Sequence, residues 1–425
     1  MKKINPIKFC KDLFKIHRSI TGLGTLKSLK YIQEYIPIKI NSIKSGEKAF
    51  DWVIPPEWNI NDAYIIDLKN NKKIASFKEN FLHIVGYSVP VNKKMKFEEL
   101  DKHLYFSKDM PDGIPYKTSY YKKRWGFCIS YNEYKKLNRD SNYQVVIDSD
   151  FNEKGSLNYG ELHIKGKTKE EIFLSSYICH PGMVNNELSG PCVLTCLAQS
   201  IIESNNYYSY RIVFVPETIG SIAFLSKNLK SLKKYVIGGY NVTCVGDERK
   251  WGLVPSRYGN NISDKIARHI LNHFVYNYKE YSWLDRGSDE RQYCAPGVDL
   301  PISCITRSKW DEYEEYHTSL DNFELVTAKG LKESFRVYSK CINVFELSKN
   351  IKPEINVYCE PNLGKRGLHP TMKKDEKDRS YRSIKHFISY CDGSNSILEI
   401  AELAKVDFFE AFEYYKILKK KKLFK

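Results

Sequence analysis

The stretch 173-FLSSYICHPGMVNNELSGPCVLTCLAQ-199 decides the fold. It opens with residues that suit a buried strand and breaks off at His180. A Pro-Gly turn, Asn185, Asn186, Glu187 and a Ser-Gly pair follow, and then an apolar segment of helical texture begins. A strand that runs into a polar cluster just before a helix presents ligands or catalytic groups beyond the carboxyl edge of an α/β sheet. Ser189 and Gly190 read as the cap of a helix starting at Pro191. No GxSxG elbow surrounds Ser189, which argues against a serine nucleophile.

Three textures separate along the chain. Leu26, Leu29, Ile32 and Ile36 recur at helical spacing near the amino end. From about 48 to 135 short strand-like runs and turns take over, rich in Trp, Tyr and Pro. There DAYIIDLKNNKKIASF alternates on both sides of an Asn-Asn turn and predicts a β-hairpin. From about 143 to 348 strand candidates (YQVVIDS, GELHIKG, EIFLSSYI, RIVFVP, NVTCVG, PISCIT) alternate with helical periods, which argues an α/β sheet flanked by helices. The expected layout is an α/β domain over 1–47 and 136–350, a β-rich insert over 48–135 and a helical tail over 370–425. That tail has the texture of a winged helix.

A length of 425 residues exceeds one ordinary core, which fits this multi-domain layout. No apolar run approaches the roughly 18 residues a membrane span needs. The amino terminus lacks an apolar signal core, and the eleven scattered cysteines form no CxxC pair, so buried reduced thiols in a cytoplasmic protein are expected. The net charge of +16 admits nucleic acid or an anionic substrate as partner, but much of the lysine excess lies in short runs typical of solvated surface.

Four chemistry-bearing groups fall at strand ends: His180 after FLSSYIC, Glu217 after RIVFVP, Asp247 after NVTCVG, and His317 in the loop after PISCIT. Two imidazoles and a carboxylate form a hydrolytic zinc ligand set, and a further glutamate serves such a site as general base. A lone histidine at a strand end is more often a hydrogen-bonded structural residue. Four such groups bring the metal reading level with the structural one.

The order H…NNELSG…PETIGS…VGD…SDERQY…YHTSLDN resembles the zinc aminopeptidase and glutaminyl cyclase superfamily. More closely, segments such as FDWVIPPEWNINDAYI, PYKTSYYKKRWGFC and DRGSDERQYCAPGVDLP are similar to a bacterial family of aminopeptidase-like domain proteins, across essentially the whole chain. The resemblance implies a zinc-aminopeptidase-like mixed sheet with an inserted β-rich domain and a carboxyl-terminal winged helix. It places the first histidine ligand on His180, the general base on Glu217, the later aspartate ligand on Asp247 and the last histidine on His317. Thr218 stands where two-metal enzymes carry a second glutamate, and Asn185, Asn186 and Glu187 stand where they carry the bridging aspartate. An amide cannot supply a bridging carboxylate's charge. One zinc ion is therefore expected in place of two, with Asn186 as a weak ligand or behind the ligands, and Glu187 as a substitute ligand.

Around this core Asp289 is expected beneath the ligands, while Arg291 and Arg307 are candidates to receive a substrate carboxylate or phosphate. Structural ion pairing is the competing reading for both arginines. Tyr316 is a candidate pocket wall, and Asp321 is expected to orient its loop. The implied activity is hydrolysis of an amide in a peptide or small conjugate, in connection with surface-polysaccharide biosynthesis. The competing function is a degenerate peptidase fold that binds or regulates through its winged helix. Acidic Glu399, Glu402, Asp407, Glu410 and Glu413 along the tail helices favour a protein contact over DNA. No membrane partner is expected, and a homo-oligomer is compatible with the sequence.

Overall fold

A computed structural model describes residues 2–368 and 376–425. The chain divides into two compact units, Met1–Asp264 with Tyr278–Phe335, and Lys265–Asn277 with Arg336–Lys425.

The first unit is built on an eight-stranded mixed sheet. Its strands are β1 (Lys39–Lys44), β2 (Ser156–Ile164), β3 (Glu171–Tyr177), β4 (Ser209–Val215), β5 (Val236–Asn241), β6 (Gly252–Val254), β7 (Lys279–Glu280) and β8 (Ile302–Thr306). They lie side by side in the order β1-β2-β4-β3-β5-β8-β6-β7. The central run β4-β3-β5-β8 is parallel, so the loops after these strands open at one edge. Every residue of β3 is buried, as a parallel strand covered on both faces requires.

Helices α1 (Pro6–Phe14), α2 (Leu23–Gln33), α3 (Ser189–Ile202) and α4 (Ile219–Tyr235) belong to this unit. Helix α3 starts at Ser189, directly out of a wide turn over Val184–Leu188, and not at Pro191 behind a serine cap. The Ser189 hydroxyl instead donates back to the Asn185 carbonyl at 2.5 Å. Gly190 lets α3 lie on the sheet, because a Cβ there would meet the Val242 carbonyl at 2.3 Å and Ser176 Oγ at 2.4 Å.

A four-stranded antiparallel sheet forms the β-rich part, in the order Lys72–Ile74, Glu57–Asp67, Asn142–Asn152, Val91–Lys96. Its first two strands are the expected hairpin, with Ile65 opposite Ile74. The YQVVIDS segment, expected in the α/β sheet, lies here instead. Tyr143, Val145 and Ile147 are buried while their neighbours are not, and this one-sided pattern suits an antiparallel sheet with one face covered. The β-rich part therefore draws on residues beyond 135. The strand expected over NVTCVG lies earlier, since β5 ends at Asn241 and the rest is loop.

The second unit includes helices Glu376–Ile388, Ile397–Ala404 and Phe408–Lys420. Ser396 with Glu399 makes a capping box, and the Asp407 carboxylate accepts from the Phe409 and Glu410 amides, so two of the acidic residues serve helix starts. Within this unit His269 is fully engaged: Nδ1 bonds Glu402, and Nε2 accepts the Phe408 amide at 2.8 Å. No helix among the described residues is long and apolar enough to cross a membrane.

Candidate functional site

His180 lies just past β3 and Glu217 just past its parallel neighbour β4, and the Ile178 amide extends the pairing to the Val215 carbonyl at 2.8 Å. The register of two adjacent strands thus delivers both side chains to one place. His180 Nε2 stands 3.5 Å from Glu217 Oε2. That is long for a hydrogen bond and close to the edge of about 3.4 Å between two ligands of a tetrahedral zinc ion. Among the described residues nothing donates a hydrogen bond to the Glu217 carboxylate, whose side chain is 21% exposed. Burial raises its pKa, against the pull of His180 and Arg291.

Behind the ring, His180 Nδ1 bonds Glu187 Oε2 at 2.9 Å. The other Glu187 oxygen faces Arg18 Nε at 3.5 Å. Arg18 in turn donates to the carbonyls of Leu13, Ile16 and His180. Glu187 is therefore not the substitute ligand expected: both its oxygens point away from Nε2. It is the carboxylate that fixes the imidazole's orientation and makes Nε2 the ligating atom. Burial opposes a charge on His180, but the Cys179 sulfur and the Glu187 carboxylate outweigh it and draw its pKa up. Arg18, Glu187, His180 and Glu217 thus stand in a row, each within 3.5 Å of the next.

Asp247 has a different task from the one expected. Its Oδ1 accepts from the Arg249 amide at 2.8 Å and Ser308 Oγ at 3.0 Å, and its Oδ2 from the Ser308 amide at 2.9 Å and Asn185 Nδ2 at 3.2 Å. Four donors saturate a fully buried carboxylate and leave it to tie loops together. Asn185 is equally committed, its Oδ1 accepting the Gly246 amide. The Asn186 Oδ1 accepts from Tyr177 at 3.0 Å, whereas its buried Nδ2 has no partner. Asp321, expected to orient its own loop, mainly holds another: it accepts the amides of Val184, Asn185 and Asn186, shaping the wide turn that carries Glu187, and the Tyr313 hydroxyl nearby.

His317 stacks on Tyr316, with ring centroids 3.9 Å apart, and its centroid is 5.6 Å from that of His180. Burial and the neighbouring His180 push its pKa down to about 3, so it is a neutral imidazole. Tyr116, from the β-rich part, sets its ring edge-on to both histidines, and its amide donates to the His317 carbonyl at 2.7 Å. Sequence reasoning missed Tyr116 and Arg18; each acts through contacts far along the chain.

Asp289 lies beneath Thr218. Its Oδ1 accepts the Thr218 amide and the Ser221 hydroxyl, both at 2.8 Å, and burial with the Glu217 charge pushes its pKa up to about 8. Arg291 Nη2 donates to Thr218 Oγ1 at 2.5 Å. Arg307 is not available to a substrate, because it pairs with Glu333 at 3.1 Å and stacks over Trp251.

At positions 185–187, where a bridging carboxylate is expected, the chain has two amides and a glutamate committed to His180 Nδ1. By donor type alone, His180, Glu217 and neutral His317 correspond to a His2Glu set of the kind catalytic zinc uses. His317 completes no three-residue group with ligand atoms within 4.8 Å of one another. Near the site, Cys179, His180 and Glu187 do approach that closely, but Glu187 is already engaged by His180 Nδ1 and Arg18.

Residues 7–348 match the family model described as domain of unknown function DUF4910. The chain belongs to that family. Residues 350–425 match a winged helix-turn-helix model. A Clostridium acetobutylicum protein, named for polysaccharide biosynthesis and an aminopeptidase-like domain, is 42% identical over 399 residues, covering 93% of this chain and 90% of its own. A crystal structure of a C. acetobutylicum protein named as a peptidase matches with a TM-score of 0.91 and 39% identity, over 99% of this chain and 95% of that one. The zinc aminopeptidase of Bacillus subtilis matches with a TM-score of 0.55 at 11% identity, over 81% of this chain and 95% of that one, and shares the fold. This DUF4910 chain therefore has an aminopeptidase-like α/β fold with a winged-helix end, as the resemblance implied.

Proposed function

We propose that the chain is an aminopeptidase-like hydrolase that cleaves an amide bond in a peptide or small conjugate with one zinc ion, in a cytoplasmic step linked to surface-polysaccharide assembly. The carrying observation is the His180 Nε2–Glu217 Oε2 pair at 3.5 Å, backed by Glu187 on Nδ1. Such an ion, when bound, polarises the amide carbonyl and acidifies a water. Glu187 holds the His180 tautomer, and Glu217, expected as the general base, serves in this reading as a carboxylate donor beside His180. Tyr116 sets its ring against His180 and His317, and Tyr316 stacks on His317, so aromatic rings border the two imidazoles. The relative's name and the shared fold support the hydrolase class and the polysaccharide link. For the winged helix we favour a protein partner, given Glu399, Glu402, Asp407, Glu410 and Glu413 along its helices.

A second reading, a binding protein on a retired peptidase scaffold, is favoured by the saturation of Asp247 and the amides at 185 and 186. Metal analysis of protein purified without chelator separates the two, together with aminoacyl-amide hydrolysis by wild type, H180A and E217Q. One zinc per chain, lost in H180A, and activity lost in both variants support the hydrolase. No stoichiometric metal in the wild type would sink it.

A further inference from the structure

Arg291 stands beside the site with most of its hydrogen-bonding capacity unused. It sits in the short helix Glu290–Tyr293 and is half-buried. Its Nη2 donates to Thr218 Oγ1, its buried Nε has no acceptor, and among the described residues it forms no ion pair within 4.0 Å. A guanidinium carries five donors in a planar fork, so an inward-facing arginine with one bond made is open to a ligand.

The surroundings leave that charge incompletely cancelled. Glu217 and Asp289 are the acids that feel it. Asp289 is turned to the Thr218 amide and the Ser221 hydroxyl, and among the described residues neither acid forms an ion pair with Arg291 within 4.0 Å. Thr218, between them, is held in the left-handed region at φ 62° by Asp289 on its amide and Arg291 on its hydroxyl. That conformation is costly for a β-branched residue, on the order of 1–3 kcal/mol, and persists only where the surroundings fix it. Of the other arginines near the site, Arg18 is committed to Glu187, Arg249 to Glu315, and Arg307 to Glu333 and Trp251.

We infer that Arg291 anchors an anionic group of the substrate, a carboxylate or a phosphate, so that the amide cleaved belongs to an acidic conjugate and not to a neutral peptide. This rests on the hydrolase reading for the amide but not for the anion site itself. A planar fork beside Glu217 holds such a group bidentately and sets the amide at a fixed distance from His180.

The test is calorimetric titration of the full chain with inorganic phosphate and, separately, with glutarate. At least one probe binds wild type at one per chain, and which one distinguishes the two anions. R291M weakens that binding at least about tenfold, R291K about threefold because a lysine keeps the charge without the fork, and R286M, an exposed residue nearby, less than about twofold. Wild type that binds neither probe, or R291M that binds like wild type, overturns the inference. If R291M fails to fold, the comparison of R291K with R286M decides, and equal affinity in these two overturns it. The readout does not depend on turnover. A chain that binds anions through Arg291 but hydrolyses nothing keeps the anion site and loses the hydrolase reading.

Discussion

Arg18 and Glu187 face each other with Nε and Oε1 3.5 Å apart, and neither side chain touches solvent. The pair joins the loop after α1 to the turn before α3, and through Glu187 it sets the angle of the His180 ring. Removing one member strands the other charge in the interior at a cost of roughly 3–5 kcal/mol. R18M should lower the denaturant midpoint accordingly, and the double variant R18M/E187L should recover much of the loss. A double variant no more stable than R18M would show that the pair is not the coupling.

Zinc and a proton compete for His180. Its pKa is raised by Cys179 and Glu187 against burial, so the imidazole must give up a proton to ligate. Zinc affinity should therefore increase from pH 6 to pH 8, at least about tenfold, with proton release visible as a buffer-dependent binding enthalpy. A flat affinity over that range contradicts the assignment of Nε2 as ligand.

Asp247 and His180 should respond differently to truncation. D247A deletes the acceptor of four donors and should cost roughly 2–5 kcal/mol of stability while retaining zinc in the fraction that folds. H180A should lose zinc. Folded D247A that is free of metal would return Asp247 to the ligand set.

At Asn186 the unpartnered Nδ2 marks a place where a carboxylate oxygen would have no donor. N186D should be less stable than wild type in chelator, by roughly 1–3 kcal/mol, and gain more in Tm from added zinc than wild type does. An equal zinc response in both proteins excludes position 186 from the ion's surroundings.

His317 sets a pH dependence of known sign. Its folded pKa of about 3 lies below the unfolded value of 6.5, so between these values the unfolded chain binds more protons. Stability from this group is complete above about pH 6.5 and declines as the pH falls toward 3. Denaturant unfolding of chelator-treated protein should show this decline, and H317Q should flatten it. Unchanged slopes would remove His317 as its source.

Part of this was readable in order along the chain. The uninterrupted apolar run before His180 specifies a buried parallel strand, and the polar cluster after it specifies a loop at the sheet's carboxyl edge. The Asn-Asn hairpin follows from a similarly local pattern. YQVVIDS misled because a strand's apolar residues announce burial but not which sheet it joins.

The sequence by itself determined the architecture, because period and turn chemistry act over neighbouring residues. It also brought His180, Glu217, Asp247 and His317 into one list of acids and imidazoles at strand ends. Only the tertiary structure sorted that list. Asp247 is withdrawn by donors from positions 185, 249 and 308, and Glu187 is turned to the back of His180 by Arg18, more than 160 positions away. Hydrogen-bond saturation and ion pairing depend on partners brought together by folding, and sequence spacing carries no trace of them.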